Sequence, residues 1–166
     1  MEQLWAPWRM QFIRDARGDA KSEGVFAQLR DASDDRASLV LHRGKLSFVV
    51  MNRYPYTNGH LLVVPNRAVP ELADLQDGEL ADLMRSVDRS IAVLRERLEA
   101  EGINCGFNLG KAAGAGIRDH FHIHVVPRWV GDTNFLPIMS DTRTLPEYLE
   151  ETYDRLLPGF QALGEK

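Results

Sequence analysis

Two short aliphatic runs dominate the first half of the chain. Residues 46–52 carry Leu46, Phe48, Val49, Val50 and Met51, and residues 60–65 carry Leu61, Leu62, Val63 and Val64. Runs of this length, rich in β-branched residues and bounded by turn formers, predict strands. Between them stands Arg53-Tyr54-Pro55-Tyr56-Thr57-Asn58-Gly59, whose proline and Asn-Gly pair supply turn chemistry, so an antiparallel hairpin with a long loop is predicted. A shorter strand is predicted over 38–42, with Arg43-Gly44 as the turn after it. The strip Leu46, Phe48 and Val50 reads as core.

The period then changes. Leu80, Leu83, Met84, Val87, Ile91, Leu94 and Leu98 fall on one stripe at helical spacing, with Asp82, Arg85, Asp88, Arg89 and Glu96 off it. Asp77 is the expected N-cap of this long helix and Gly102 its stop. Further strands are predicted over 103–109 and 120–127, with a glycine- and alanine-rich loop over 111–116. Short helices are expected over 70–75 and from about 145 to 157. Residues 14–38 are polar and charged, with Val25, Phe26 and Leu29 as their apolar anchors, and read as an arm or loop with a short helix. There is no internal repeat. Strands interleaved with few helices predict an α+β fold with a mostly antiparallel sheet. The expected organisation is a single domain over 1–166, with an N-terminal arm (1–38), a catalytic core (39–130) and a C-terminal extension with a helix (131–166).

Composition narrows the function. With 166 residues, 44% hydrophobic and 27% charged, the chain can bury one core. A net charge of -4 argues against a protein that coats nucleic-acid backbone, while an anionic small molecule remains compatible with a locally positive site. The single cysteine, Cys105, excludes an intrachain disulfide and a multi-thiolate metal site. The first eight residues lack the basic and apolar regions of a signal peptide, and no apolar run approaches a membrane span, so a cytoplasmic, soluble protein is expected.

The chemistry concentrates in His120-Phe121-His122-Ile123-His124-Val125-Val126-Pro127. On a strand, alternate side chains share a face, so His120, His122 and His124 are expected to line up while Phe121, Ile123 and Val125 enter the core. A core gains nothing from three imidazoles, each of which needs a partner when buried. Two functional readings follow: a zinc site, or a middle imidazole acting as nucleophile with its neighbours fixing its tautomer and handling protons. Upstream, Asn108-Leu109-Gly110-Lys111-Ala112-Ala113-Gly114-Ala115-Gly116 offers small residues whose backbone N–H groups can approach phosphate, which favours the nucleophile. His60, at the start of a strand after Asn58-Gly59, is placed to join as a fourth imidazole. Asn52 is either a ribose contact or a turn residue, Lys111 or Arg118 could offset phosphate charge, and His42 is expected to be structural or exposed.

Residues 120–126 match at every position the His-φ-His-φ-His-φ-φ signature (φ apolar) of the histidine-triad (HIT) superfamily, which the chain resembles over most of its length. Residues 52–65 resemble that family's nucleotide-binding hairpin. Trp5-Ala6-Pro7-Trp8-Arg9-Met10 and residues 126–135 resemble the bacterial branch similar to diadenosine tetraphosphate phosphorylases. The resemblance implies a five-stranded, mostly antiparallel sheet with one long and one or two shorter helices, assembled as a homodimer. It further implies that His122 attacks the α-phosphorus of a nucleotide, supported by His120, His124 and His60. Asn52 would contact ribose, and Asn108, Gly110 and the backbone of Gly114, Ala115 and Gly116 would hold phosphate. The substrate implied is a nucleotide or dinucleoside polyphosphate, not a nucleic-acid polymer or a membrane, and no cofactor is required.

Two departures from the family pattern matter. Many relatives hold a structural zinc through an N-terminal Cys-x-x-Cys pair, where this chain has Gly24-Val25-Phe26-Ala27, so that zinc is expected to be absent. Hydrolase branches commonly carry glutamine four residues before the first triad histidine, where this chain has Gly116, similar to the phosphorylase branch and leaving room for a phosphate acceptor. The expected activity is therefore phosphorolysis of dinucleoside polyphosphates. Hydrolysis of these or of nucleoside phosphoramidates is the alternative, and a non-catalytic nucleotide-binding sensor the alternative of another class.

Overall fold

The structure, a computed structural model, describes residues 24–132 and 147–164. The sequence matches at 5–10 and 133–135, and the start of the helix expected from 145, lie outside the described residues. Within them the order is α1 (Val25–Asp31), α2 (Asp35–Ser38), β1 (Val40–Arg43), β2 (Ser47–Met51), β3 (Leu61–Pro65), a 3-10 turn (Leu72–Asp74), α3 (Asp77–Leu98), β4 (Gly102–Gly106), a second 3-10 turn (Lys111–Ala113), β5 (Ile123–Arg128) and α4 (Leu149–Gly164). The strands form one antiparallel sheet in the order β1-β2-β3-β5-β4. This is the α+β architecture expected, with two long and two short helices among the described residues.

The two aliphatic runs became β2 and β3 because both faces of the sheet are covered there: all ten of their residues are buried. They pair from Ser47↔Pro65 to Met51↔Leu61 without a register break. On one face lie α3, which packs over β2, β3 and β5, and α4, which packs on α3 and β1. On the other face Phe26 of α1 meets Phe48 of β2 edge-on at 6.5 Å between ring centroids. Arg43 secures α1 from β1 by donating to the carbonyls of Leu29, Arg30 and Ala32, the unpaired acceptors at that helix's end.

The long helix differs in detail from its apolar stripe. Leu83, Val87, Leu94 and Leu98 are buried as expected, but Met84 is 59% exposed while Ser86, Ser90 and Val93 are buried. The buried arc is rotated because α3 contacts α4 as well as the sheet. Its serines are satisfied locally: Ser90 donates to the Ser86 carbonyl (2.7 Å), and the hydroxyls of Ser86 and Ser47 lie 2.9 Å apart beside Asp82, which accepts from Ser47 at 2.6 Å. Gln76, not Asp77, is the N-cap, and the Glu79 carboxylate accepts its backbone N–H at 2.9 Å. The helix ends on Glu99 in the left-handed conformation (φ 54°), and Gly102 already belongs to β4.

The C-terminal helix runs past Pro158, where an end was expected at 157. An interior proline costs about 3 kcal/mol in an isolated helix. Here the burial of Phe160 beyond it offsets that cost, and Gly159 permits the close approach, since a Cβ there would stand 2.8 Å from Val93.

Gly59 is the tightest point of the β2–β3 turn. It has φ +75°, and a Cβ there would fall 2.4 Å from Leu98 Cδ1 in α3. Gly131 has a similar φ of +80° but open space around it. Left-handed strain alone costs about 1–2 kcal/mol. Gly131→Ala is therefore expected to lose about 1 kcal/mol in urea unfolding, and Gly59→Ala clearly more, because the clash adds to the strain. Equal losses would show that α3 yields to the new methyl group.

Candidate active site

The triad enters the sheet at an angle to its sequence pattern. Pairing in β5 starts at Ile123, so His120 and His122 lie in its extended approach and only His124 in the strand. The expected alternation of a histidine face with an apolar face does not appear there as a difference in burial. His120 and His122 are 2% and 7% exposed, as buried as Phe121 and Ile123, and strict alternation appears only from Ile123 onward. The cause is α1, whose Phe26 ring lies 5.4 Å from that of His120 and 5.0 Å from that of His122. Phe26 is the site residue that sequence reasoning missed, since it read as an anchor of a polar arm. Gly24 at the head of α1 is held by Asp119, whose carboxylate accepts its N–H at 3.1 Å.

Each ring is held by a partner that decides where its proton sits. A backbone carbonyl can only accept, so His120 donates from Nε2 to the Pro65 carbonyl at 2.8 Å, and His122 donates from Nδ1 to the His120 carbonyl at 3.0 Å. His122 Nε2 is then the unprotonated nitrogen. His60, 1% exposed at the start of β3, receives the Tyr56 N–H at Nδ1 (3.1 Å), with Asn52 Nδ2 at 3.3 Å from the same nitrogen. Its Nε2 therefore carries the proton and donates to His124 Nδ1 at 3.0 Å. That leaves the proton of His124 on Nε2, an atom that is buried and has no hydrogen-bond partner among the described residues. The rings of His122 and His124 are 4.9 Å apart at 65°. The site thus holds a nitrogen lone pair on one ring and, on a ring 4.9 Å away, a buried N–H donor that has no partner among the described residues.

Burial also keeps these rings neutral. Desolvation holds His120 and His122 below the ordinary histidine value, more than countering the carbonyl each ring bonds. Desolvation first, and then the neighbouring His122, push His124 down to about 4. Tyr56 covers the outer side, its ring 4.6 Å from His60 and nearly parallel to that of His124 at 5.8 Å.

The other expected residues are distributed around this pair. Asn52 is half-buried at the end of β2, and its Oδ1 accepts the Tyr54 N–H at 2.9 Å, so it shapes the turn as well as approaching His60. In the glycine loop, Gly110 (φ +74°) and Gly114 (φ +85°) permit a 3-10 turn in which the N–H of Gly114 bonds the Lys111 carbonyl and that of Ala115 the Gly110 carbonyl. Those two amides are thus engaged within the turn, while the N–H of Gly116 has no backbone acceptor among the described residues. Gly116 is exposed with nothing within 4 Å of a Cβ built on it. Asn108 is half-buried, and Lys111 and Arg118 are exposed. His42 lies away from the triad, half-buried on β1 and stacked on Phe160 at 6.4 Å.

Comparison with known proteins agrees with this architecture. The model of the HIT domain family matches residues 34–130. The chain is 41% identical to a protein of Mycobacterium tuberculosis named AP-4-A phosphorylase, over 92% of this chain and 80% of that one. It is also 41% identical to the bis(5'-nucleosyl)-tetraphosphatase (asymmetrical) of Schizosaccharomyces pombe, over 57% and 52% of the two chains. Among solved structures, a zinc-bound histidine-triad family protein from Mycobacterium smegmatis superposes with a TM-score of 0.63 at 27% identity, covering 93% of this chain and 94% of that one. A thiolate zinc site does not fit this chain at α1, where Gly24 and Ala27 offer no side-chain donor, and no group of three metal-ligating side chains converges among the described residues. The match spans more than half of the chain and includes the hairpin, the long helix and all three triad histidines: the protein belongs to the HIT domain family.

Proposed function

We propose that this protein is a nucleotidyl transferase that splits dinucleoside polyphosphates such as diadenosine tetraphosphate by phosphorolysis, carrying the nucleotidyl group on His122. The observation that carries the reading is the complementary pair at the centre of the site: the Nε2 lone pair of His122 and, on the ring 4.9 Å away, the Nε2–H of His124, which has no partner among the described residues. In the first step His122 Nε2 attacks the α-phosphorus, a P–N bond forms and the bridging P–O bond breaks. The leaving oxygen belongs to a nucleoside polyphosphate and departs as an anionic phosphate oxygen, which the Nε2–H of His124 stabilises by donating a hydrogen bond, while the bond from His60 Nε2 to His124 Nδ1 keeps that proton on Nε2. In the second step an acceptor oxygen attacks the same phosphorus and the P–N bond breaks. With phosphate as acceptor the products of diadenosine tetraphosphate are ATP and ADP; with water they are ATP and AMP.

The similarity to a protein named AP-4-A phosphorylase and the open space at Gly116 support phosphate as acceptor. Asn52 is assigned to ribose through its remaining amide hydrogen, and Asn108, Gly110 and the Gly114-Ala115-Gly116 segment to the phosphates. In this segment the N–H of Gly116, which has no backbone acceptor among the described residues, is the first candidate. The scheme calls for no cofactor. We assign the reaction to the cytoplasm, where the exposed free thiol of Cys105 is at home, and to a homodimer, for which the exposed edge strand β4 offers unpaired backbone groups.

Incubation with diadenosine tetraphosphate, with and without phosphate, followed by chromatography, tests the reaction. ATP plus ADP appearing only with phosphate is expected, and His122→Ala should lower turnover by at least about a thousandfold and abolish the labelled nucleotidyl adduct. ATP plus AMP without phosphate would make the protein a hydrolase. Absence of turnover in both conditions would overturn this substrate and bring nucleoside phosphoramidates and adenylyl sulfate forward. Nucleotide bound without an adduct on any of these would identify a sensor.

The pH profile gives an independent test. Burial lowers the His122 value, so the neutral nucleophile persists below the ordinary histidine value of 6.5 and is lost only as pH falls further. The acid limb of kcat/KM is therefore expected below pH 6.5, and a limb at or above it would contradict a buried neutral nucleophile.

A further inference from the structure

A polar cluster at the entry of α4 touches no triad residue yet grips the turn that carries His60. Thr152, fully buried, stands on the first turn of α4 with its hydroxyl 2.6 Å from Glu147 Oε2, 2.9 Å from Asn58 Oδ1 and 3.1 Å from the Tyr148 carbonyl. The Asn58 amide donates to the same Glu147 oxygen at 3.1 Å. Arg155, one turn further along α4, donates to Glu147 Oε1 at 3.0 Å and to the Arg97 carbonyl of α3 at 3.0 Å. The Glu147 side chain is only 18% exposed. Burial alone would raise its carboxyl, but the bonds from Thr152, Arg155 and Asn58 hold it below the ordinary value, so it stays charged.

This cluster meets a turn already fixed on its opposite flank. Thr57 donates from its hydroxyl to the Pro127 carbonyl of β5 at 3.0 Å, and Gly59 lies against Leu98. Asn58 stands between these two anchors, two residues after Tyr56 and two before His60. The Tyr56 N–H, together with the Asn52 amide, makes His60 Nδ1 an acceptor, and that in turn places the proton of His60 toward His124. A turn free to move at Asn58 would loosen the Tyr56 N–H first, because that bond spans only four residues within the turn.

We propose that Glu147, held by Thr152 and Arg155, is a positioning residue for the reaction: through Asn58 it fixes the β2–β3 turn so that His60 keeps its proton on Nε2 and His124 keeps its own on Nε2. The C-terminal helix is on this account part of the proton-handling machinery, although none of its residues reaches the triad. The effect on turnover rests on the nucleotidyl-transfer reading given above; the effect on His60 does not.

Two measurements separate these. Long-range proton–nitrogen NMR of the histidine rings, recorded without substrate, reads which nitrogen of His60 is protonated. Wild type should show the Nε2–H form, and Glu147→Ala and Thr152→Val should each shift the His60 signals toward a mixture of tautomers. In turnover of diadenosine tetraphosphate, both substitutions should lower kcat by about tenfold or more with KM changed by less than about twofold. Glu147→Gln, which keeps an acceptor oxygen for Asn58 and Thr152, should recover most of kcat. Tyr153→Phe is the control: it removes the 2.9 Å bond from α4 to the Val40 carbonyl, and so loosens the helix without touching the turn. It should lower the melting temperature while leaving the His60 signals and kcat unchanged. His60 signals that stay at wild-type positions in both Glu147→Ala and Thr152→Val overturn the proposal, as does a Tyr153→Phe variant that moves them equally. Should the protein not turn over diadenosine tetraphosphate, the NMR arm still decides the proposal and the failure belongs to the substrate reading alone.

Discussion

An imidazole attacks phosphorus only through a nitrogen that carries no proton, and in this protein a backbone carbonyl decides which nitrogen that is. The His120 carbonyl accepts only from His122 Nδ1, so Nε2 is left with its lone pair. The same logic runs through the remaining rings. Pro65 fixes His120, and the Tyr56 N–H fixes His60, which fixes His124. Each chain starts from a main-chain group, joined at His60 by the Asn52 amide, and none of these partners titrates. The chemistry of the site is therefore a property of backbone geometry around β3 and β5 more than of the histidines themselves.

That arrangement requires burial, and burial of imidazole is unfavourable unless each ring is hydrogen-bonded. Phe26 closes the site over His120 and His122, and α1 stays there because Arg43 and Asp119 hold its two ends. Excluding water does two things at once. It keeps the triad rings neutral, so a lone pair is available on His122 at neutral pH, and it strengthens each hydrogen bond that sets a tautomer. The exception is His124 Nε2, a buried donor without a partner among the described residues. Leaving such a group unpaired costs about 1–3 kcal/mol. A ligand oxygen that accepts from it would remove that cost on binding.

Much of this was readable from residue order because the periodicities are strong where burial is simple. The runs in β2 and β3 and the triad signature each follow from a local rule. The failures have a common cause, a second neighbour that a one-dimensional pattern does not contain. Met84 is exposed and Ser86, Ser90 and Val93 are buried because α3 faces α4 in addition to the sheet. His120 and His122 are as buried as their apolar neighbours because Phe26 arrives from nearly a hundred residues upstream. The last helix was expected to end at about 157, but the burial of Phe160 and the close contact at Gly159 carry α4 past Pro158. Tautomers were beyond any reading of residue types, since they depend on carbonyls that every residue possesses.

The β2–β3 turn shows why stability and chemistry are hard to separate here. Its nine residues must place Asn52 and His60 at the ends of adjoining strands and present the Tyr56 N–H inward. A loop of that length would ordinarily be mobile. This one is held from three directions: by β5 through Thr57, by α3 through Gly59 and by the entry of α4 through Asn58. The contacts at Thr57 and Gly59 close the turn against the core. The contact at Asn58 involves a carboxylate that could have remained in solvent and instead takes three donors at low exposure. Such a group gains the fold little net stability, because desolvation offsets most of its attraction. What it provides is a single geometry, and the turn it fixes is the one from which the proton order of His60 and His124 follows.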